Sequence, residues 1–228
     1  MYNFDRYKLL IEKLLKAGLK PTVNWNKKPC AQTLLLRHDI DFSIDYAYQI
    51  ALVEHNLNVN STFFFMLSCN MYNFLSEHNQ RLVKNISDMG HKISLHFDIK
   101  AYKSLDGFNF EKKIFENSTN NIIDIVSIHR PGSFLDNNNS LLQGTPQTYQ
   151  DVYCKDMKYI SDSGGKNILP LVNEYLNKTR ECGLHLLTHP VWWIDKLDKP
   201  TIKLNSWRSK YIEFITSQIR ANCKTYEK

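Results

Sequence analysis

Four short runs in this chain of 228 residues end in ionisable side chains, and chemistry is expected at those ends. They are Leu34-Leu35-Leu36-Arg37-His38-Asp39-Ile40-Asp41, Lys92-Ile93-Ser94-Leu95-His96, Val126-Ser127-Ile128-His129-Arg130-Pro131 and Leu184-His185-Leu186-Leu187-Thr188-His189-Pro190. Each is brief and apolar up to its polar end, as a buried strand is. In the first, the two-residue period of a strand sends Asp39 and Asp41 to one side and His38 and Ile40 to the other. Neighbouring carboxylates repel unless a cation or a shared proton intervenes. The pair is therefore either an ion-paired strand end, with Arg37 at hand, or part of a metal site.

His91 and His96 lie five residues apart and so face opposite ways along a strand. His96, at the carboxyl end, is the candidate ligand, and His91 reads as structural. His129 and His189 end two further runs. One carboxylate and two imidazoles with an open position commonly hold a hydrolytic divalent ion. The plainer alternatives are a backbone-bonded imidazole beside Pro131 and a strand-end histidine before Pro190. His185 shares a face with His189 but lies about 13 Å back along the strand, and reads as structural. His55 and His78 fall on expected helices and read as solvated.

The elements that must position these groups alternate. Strand-like runs at 33–37, 61–67, 91–97, 125–129 and 183–188 are interleaved with helix candidates at 45–55, 76–89, 108–117, 168–177 and 206–222. The helix at 76–89 has Ser76 as a cap, core positions Leu82, Ile86 and Met89, and Gly90 where it should stop. Residues 1–20 form an N-terminal surface helix, with Phe4, Tyr7, Ile11 and Leu14 at helical spacing. Such alternation implies α/β architecture, with a parallel sheet covered by outer helices. In folds of that kind, functional groups gather at the carboxyl ends of the strands. The segment 136–149 is polar and without periodicity, so a functional or mobile loop is expected there.

Composition narrows the class. With 43% hydrophobic and 23% charged residues, the chain reads as one ordinary globular domain spanning 1–228. No glycine-rich dinucleotide or P-loop motif follows the first strand. Five scattered cysteines, none in a CxxC pair, exclude a zinc knuckle and a disulfide framework. The net charge of +6 is spread out, without a basic stripe carrying aromatics; nucleic acid is not an expected partner, whereas an anionic substrate is compatible. No apolar run is long enough to span a membrane, and no signal-peptide pattern opens the chain, so a cytoplasmic location is expected.

At these residues the sequence resembles the polysaccharide deacetylase superfamily, the NodB-type carbohydrate esterases. The nearest branch is the cytoplasmic one associated with surface-polysaccharide biosynthesis. The matching segments, in the family's order, are RHDID (37–41), STFFFML (61–67), GHKISLHFD (90–98), HRPGSF (129–134), YISDSGG (159–165) and LLTHPVWW (186–193). The resemblance implies a distorted (β/α)7-type barrel. It also implies a divalent metal ion, zinc first with iron, cobalt or nickel as alternatives, and removal of an N-acyl group from an amino sugar that can be nucleotide-linked. Carried over by residue, Asp39 matches the general base, Asp41 a metal ligand and His96 the first histidine of H-x-x-x-H. Arg130 matches the arginine that holds the base, Asp162 the carboxylate that orients the acid, and His189 that acid. Trp192 and Trp193 follow directly, and alternation turns one of these substrate-binding candidates to the site and the other to the core.

There is one departure. The second histidine of H-x-x-x-H falls at Lys100. Either another residue takes that place, with His129 on its own strand end the favoured candidate, or metal binding is weakened or lost; the expected metal set is Asp41, His96 and His129. Two rival functions remain: a non-catalytic carbohydrate-binding relative of the deacetylases, suggested by Lys100, and a metal-dependent hydrolase of another amide or ester.

Overall fold

The computed structural model describes residues 3–226 apart from Asn138 and Asp198. In chain order the elements are α1 (Phe4–Lys16), β1 (Lys20–Pro21), β2 (Thr33–Ile40), α2 (Ile44–Asn56), β3 (Thr62–Phe65), α3 (Glu77–Asp88), β4 (Lys92–Asp98) and α4 (Asp106–Thr119). They continue with β5 (Ser127–His129), α5 (Asp151–Cys154), β6 (Lys158–Ser161), α6 (Leu169–Asn177), β7 (Leu184–Thr188) and α7 (Pro200–Asn222). The strands form one sheet, ordered β5-β4-β3-β2-β7-β6, with β1 paired to the start of β2. Every pairing between strands is parallel. The sheet curls into a half-barrel with helices around it, in keeping with the expected distorted (β/α) barrel.

The period of two divides each strand between two environments. On β2, Leu34, Leu36 and Ile40 join the large core under the helices, together with Phe63, Phe65, Leu95 and Phe97 from β3 and β4. Leu35 and Phe64 belong instead to a smaller inner cluster with Trp25, Ile125, Tyr153 and Met157. Arg37 and Asp39 share parity with Leu35, so they lie on that inner face nearer the carboxyl end. The concave side is thus plugged by apolar residues at its amino end and polar at its carboxyl end. A fully buried aromatic contributes about 1.5–3 kcal/mol relative to exposure, so Phe63, Phe64 and Phe65 anchor both layers.

Helix boundaries follow local chemistry. Ser43 and Ser76 cap α2 and α3 by accepting from the Tyr46 and Asn79 backbone N–H groups. Gly90 ends α3 at φ +89°, where an added Cβ would meet Asn60 Nδ2 at 2.8 Å. A buried polar network fills the outer side of β2. Glu54 Oε1 is 2.9 Å from His38 Nε2, Glu54 Oε2 accepts from Ser61 Oγ at 2.5 Å, and Tyr7 also donates to Glu54. His38 Nδ1 lies 2.8 Å from Thr188 Oγ1, which ties β2 to β7 directly behind Asp39 and His189.

The sequence reading misses β1, β6 and α5, each only two to four residues long and too short to show periodicity. It places the start of the last helix at 206, whereas Pro200 opens α7, a residue suited to the first helical turn. The segment 136–149 carries no long element, but it is pinned: Leu142, Thr145, Gln147 and Thr148 are buried.

Candidate active site and metal centre

Asp41, His96 and His129 converge at the carboxyl edge of the sheet, one ligand atom from each lying within 4.8 Å of the others. His96 Nε2 is 3.3 Å from Asp41 Oδ1, and His129 Nε2 is 4.0 Å from the same oxygen. In a tetrahedral site with metal–ligand bonds of 2.0–2.1 Å, neighbouring ligand atoms stand about 3.3 Å apart. Asp41 Oδ1 is buried without a hydrogen-bond partner, which is costly unless a cation satisfies it. The donor set of one carboxylate and two imidazoles suits zinc or a comparable divalent ion. These residues fit the group.

His129 is prepared for such a role. Its Nδ1 lies 3.1 Å from Asp98 Oδ2, which orients Nε2 toward Asp41. Burial, assisted by neighbouring His96, pushes the His129 imidazole below its ordinary pKa, so at neutral pH it keeps a lone pair for coordination. Lys100 does not enter this cluster. It is exposed, and its backbone N–H donates to Asp98 Oδ1 at 2.9 Å. His96 Nδ1 is buried without a hydrogen-bond partner, and the ring stands 5.1 Å from that of His129.

Asp39 sits beside the cluster, its Oδ2 3.7 Å from His96 Nε2. Its partner is Arg37, which grips both oxygens: Nε to Oδ1 at 2.8 Å and an Nη to Oδ2 at 2.6 Å. This corrects the expectation that Arg130 holds Asp39. Arg130 is exposed on the rim, at φ +50°. Arg37 is two residues before Asp39 on β2 and therefore projects from the same face, a parity visible in the sequence. Arg37 is itself satisfied by Thr148 Oγ1 and Ser127 Oγ, each at 2.6 Å, and by Tyr149 Oη at 3.3 Å. The apparently featureless segment 136–149 thus supplies two of its contacts. Burial works against ionisation of Asp39, but the Arg37 guanidinium outweighs it and holds the carboxyl far below the usual range.

Across the pocket, His189 Nδ1 lies 2.6 Å from Asp162 Oδ1, and its Nε2 is 3.8 Å from Asp41 Oδ2. Burial alone would depress this imidazole; the Asp162 carboxylate overcomes it and raises the pKa to about 9. Asp162 is fully buried, and it also accepts from the His189 backbone N–H at 3.0 Å and from Trp193 Nε1 at 2.8 Å. Of the two tryptophans, one expected at the site and one in the core, Trp193 is the core member. It is wholly buried, packs 5.3 Å from the Tyr7 ring and braces Asp162. Trp192 lines the pocket.

That pocket encloses about 280 Å³ and is bounded by Asp39, Asp41, His96, His129, His189 and Trp192, among others. It brings together a carboxylate held below its usual pKa range, an imidazole raised to about 9 and a candidate cation site around one small volume. Such a set can deprotonate a nucleophile and protonate a leaving group on opposite sides of one carbonyl. Sequence reasoning names Arg37 only as an ion-pair partner for the strand end that carries Asp39 and Asp41, and the residues it misses are Asp98, Ser127, Thr148 and Tyr149. Asp98 had a signal, since it shares strand parity with His96.

No protein-family model matches the chain, and no curated protein matches it. Several solved structures are similar to it. A family 4 carbohydrate esterase from Bacillus anthracis is 16% identical with a TM-score of 0.44, over 89% of this chain and 86% of that one. The chitin deacetylase of Colletotrichum lindemuthianum is 14% identical with a TM-score of 0.44, over 81% and 85%. A mutant CE4 family pseudoenzyme with restored enzymatic activity is 17% identical with a TM-score of 0.46, and 82% of this chain spans only 64% of its length. With these TM-scores below 0.5, the side chains of the site must carry the functional conclusion.

Proposed function

We propose that the protein is a metal-dependent hydrolase that removes the N-acyl group of an amino sugar. The observation that carries this is the convergence of Asp41, His96 and His129 on one small volume between Asp39 and His189. Asp41, His96 and His129 would hold the ion; when bound, it supplies Lewis acidity, which activates a water near neutral pH and polarises an acyl oxygen.

The chain's own groups do the rest. Asp39, kept ionised by Arg37, accepts the proton of the attacking water; its Oδ1 takes one bond from Arg37 and retains a free lone pair. His189, held with Nδ1 toward Asp162, presents Nε2 to the pocket and gives its proton to the departing amine. With a pKa of about 9, it is protonated at pH 7. Trp192, largely buried, lines the pocket wall and would contribute an apolar contact to a bound sugar ring. The amino-sugar substrate, the surface-polysaccharide setting and the cytoplasmic location are supported by the motif resemblance described above. Among the described residues, no helix is long and apolar enough to cross a membrane.

The test is release of free amine from N-acetylated amino sugars by the zinc-loaded protein. Asp39→Asn should retain the metal and lose turnover, and undiminished turnover would remove Asp39 from the role of base. The non-catalytic reading, prompted by Lys100, is separated by elemental analysis: stoichiometric metal together with turnover excludes it.

A further inference from the structure

Beside the catalytic pocket lies a second cleft of about 510 Å³, lined by Ser68, Asn70, Asp98, Lys100, Tyr102 and Arg130, among others. Arg130 lines both cavities, so it stands where one gives onto the other. The catalytic pocket, at about 280 Å³, is at the small end for a ligand site and suits a single ring; anything attached to that ring must leave it.

The second cleft has a distinct charge. Among the described residues, neither the Lys100 ammonium nor the Arg130 guanidinium has a hydrogen-bond or ion-pair partner. The carboxylate on its wall, Asp98, is already engaged, Oδ2 with His129 Nδ1 at 3.1 Å and Oδ1 with the Lys100 backbone N–H at 2.9 Å. Glu111 lies behind the wall, and its Oε1 accepts from Ser68 and Tyr102 at 2.5 and 2.9 Å. Two free cations therefore face an open cavity. Arg130 also holds φ at +50°, a left-handed conformation that is costly for a residue with a Cβ and is kept where the surroundings or a function require it.

The sugar's own chemistry connects the two cavities. In a 2-acetamido sugar, the anomeric substituent is on the carbon next to the one bearing the amide. A sugar whose amide lies at the cluster that includes His129 can direct that substituent toward Arg130, which lines both cavities. Guanidinium recognises a phosphate by paired hydrogen bonds and an ammonium by charge. We infer that this cleft binds an anionic, phosphate-type group attached to the amino sugar, with Arg130 and Lys100 as its cationic contacts. This deepens the deacetylase reading and rests on it. It makes the substrate a phosphorylated precursor instead of a neutral polymer.

The experiment uses zinc-loaded full-length protein and three probes: N-acetylglucosamine, its 1-phosphate and its uridine diphosphate conjugate. Calorimetric Kd and the KM for amine release are measured for each. The 1-phosphate should bind at least about tenfold more tightly than the neutral sugar, a gain of the size charge-assisted contacts provide. Lys100→Gln and Arg130→Gln should each reduce that ratio, and the double variant should bring it close to one. Further tightening with the conjugate assigns the phosphate to a nucleotide, and equal affinity assigns it to a simple sugar phosphate; either result upholds an anion site. Equal binding of neutral and phosphorylated sugar by the wild type, or an unchanged ratio in the double variant, overturns it. Failures remain distinguishable: a phosphate preference without amine release on any probe refutes the deacetylase reading, and amine release with one KM for all three refutes the cleft assignment.

Discussion

Asp98 and His129 are register partners on adjacent parallel strands, and their side chains meet on the concave face with Oδ2 and Nδ1 3.1 Å apart. The pairing of β4 with β5 thus positions a carboxylate to fix the tautomer and orientation of an imidazole 31 residues further along the chain. A carboxylate–histidine pair of this kind suits His129 to the ligand role proposed for it, while Lys100 stays outside the cluster.

Metal affinity should register that contact. Asp98→Ala is expected to weaken zinc binding about 10–100-fold without abolishing it. His129→Ala and His96→Ala should lose stoichiometric metal, whereas Lys100→Ala should keep it. Competition with a chromogenic chelator measures all four, and full zinc retention by His129→Ala would hand the third ligand position to another residue.

Arg37 should matter for both stability and chemistry. Replacing it with methionine leaves Asp39 as an unpaired buried charge, for an expected loss of about 3–5 kcal/mol in urea unfolding. Arg37→Lys, which cannot form the two-pronged contact, should fall between wild type and methionine. Because Arg37 holds Asp39 ionised, the acid limb of the activity profile should move to higher pH in the lysine variant. Arg130→Lys should leave that limb in place.

The alkaline limb should belong to His189. As the acid, it must be protonated, so activity holds below its pKa of about 9 and declines as pH rises through that value. Asp162→Asn removes the charge that raises it and should move the decline toward the ordinary histidine range, near 6.5. His189→Ala should lower kcat by about 10²–10⁴-fold. A pH–rate profile in which Asp162→Asn leaves the alkaline limb unmoved would take His189 out of this role.

Acid stability should be limited in part by His185. Burial pushes its pKa down to about 3, Nδ1 lies 3.1 Å from the Tyr153 carbonyl, and Nε2 has no hydrogen-bond partner. The sign follows from linkage. The folded state resists a proton that the unfolded chain takes up near pH 6.5, so this contribution is complete above that pH and is lost as pH falls toward 3. From pH 7 to 5 this one group should cost about 2 kcal/mol of unfolding free energy. His185→Phe should flatten that dependence in urea titrations at the two pH values, even if it starts from lower stability.

Much of this molecule was written in its linear order. Alternating apolar runs and amphipathic helices determined a parallel α/β sheet, because buried strands and their covering helices have different periods that composition cannot disguise. The same period of two put Asp39 with Asp41 and assigned His96, His129 and His189 to the strand ends, since parity along one strand is a local property. Partnership across strands is not local. Whether Arg37 or Arg130 reaches Asp39, whether Asp98 braces His129, and which of Trp192 and Trp193 turns inward depend on register between segments separated by many residues. That Thr148 and Tyr149 come from an unpatterned stretch depends on where the chain folds back, and hydrogen bonding and close packing settle this only once the sheet has curled.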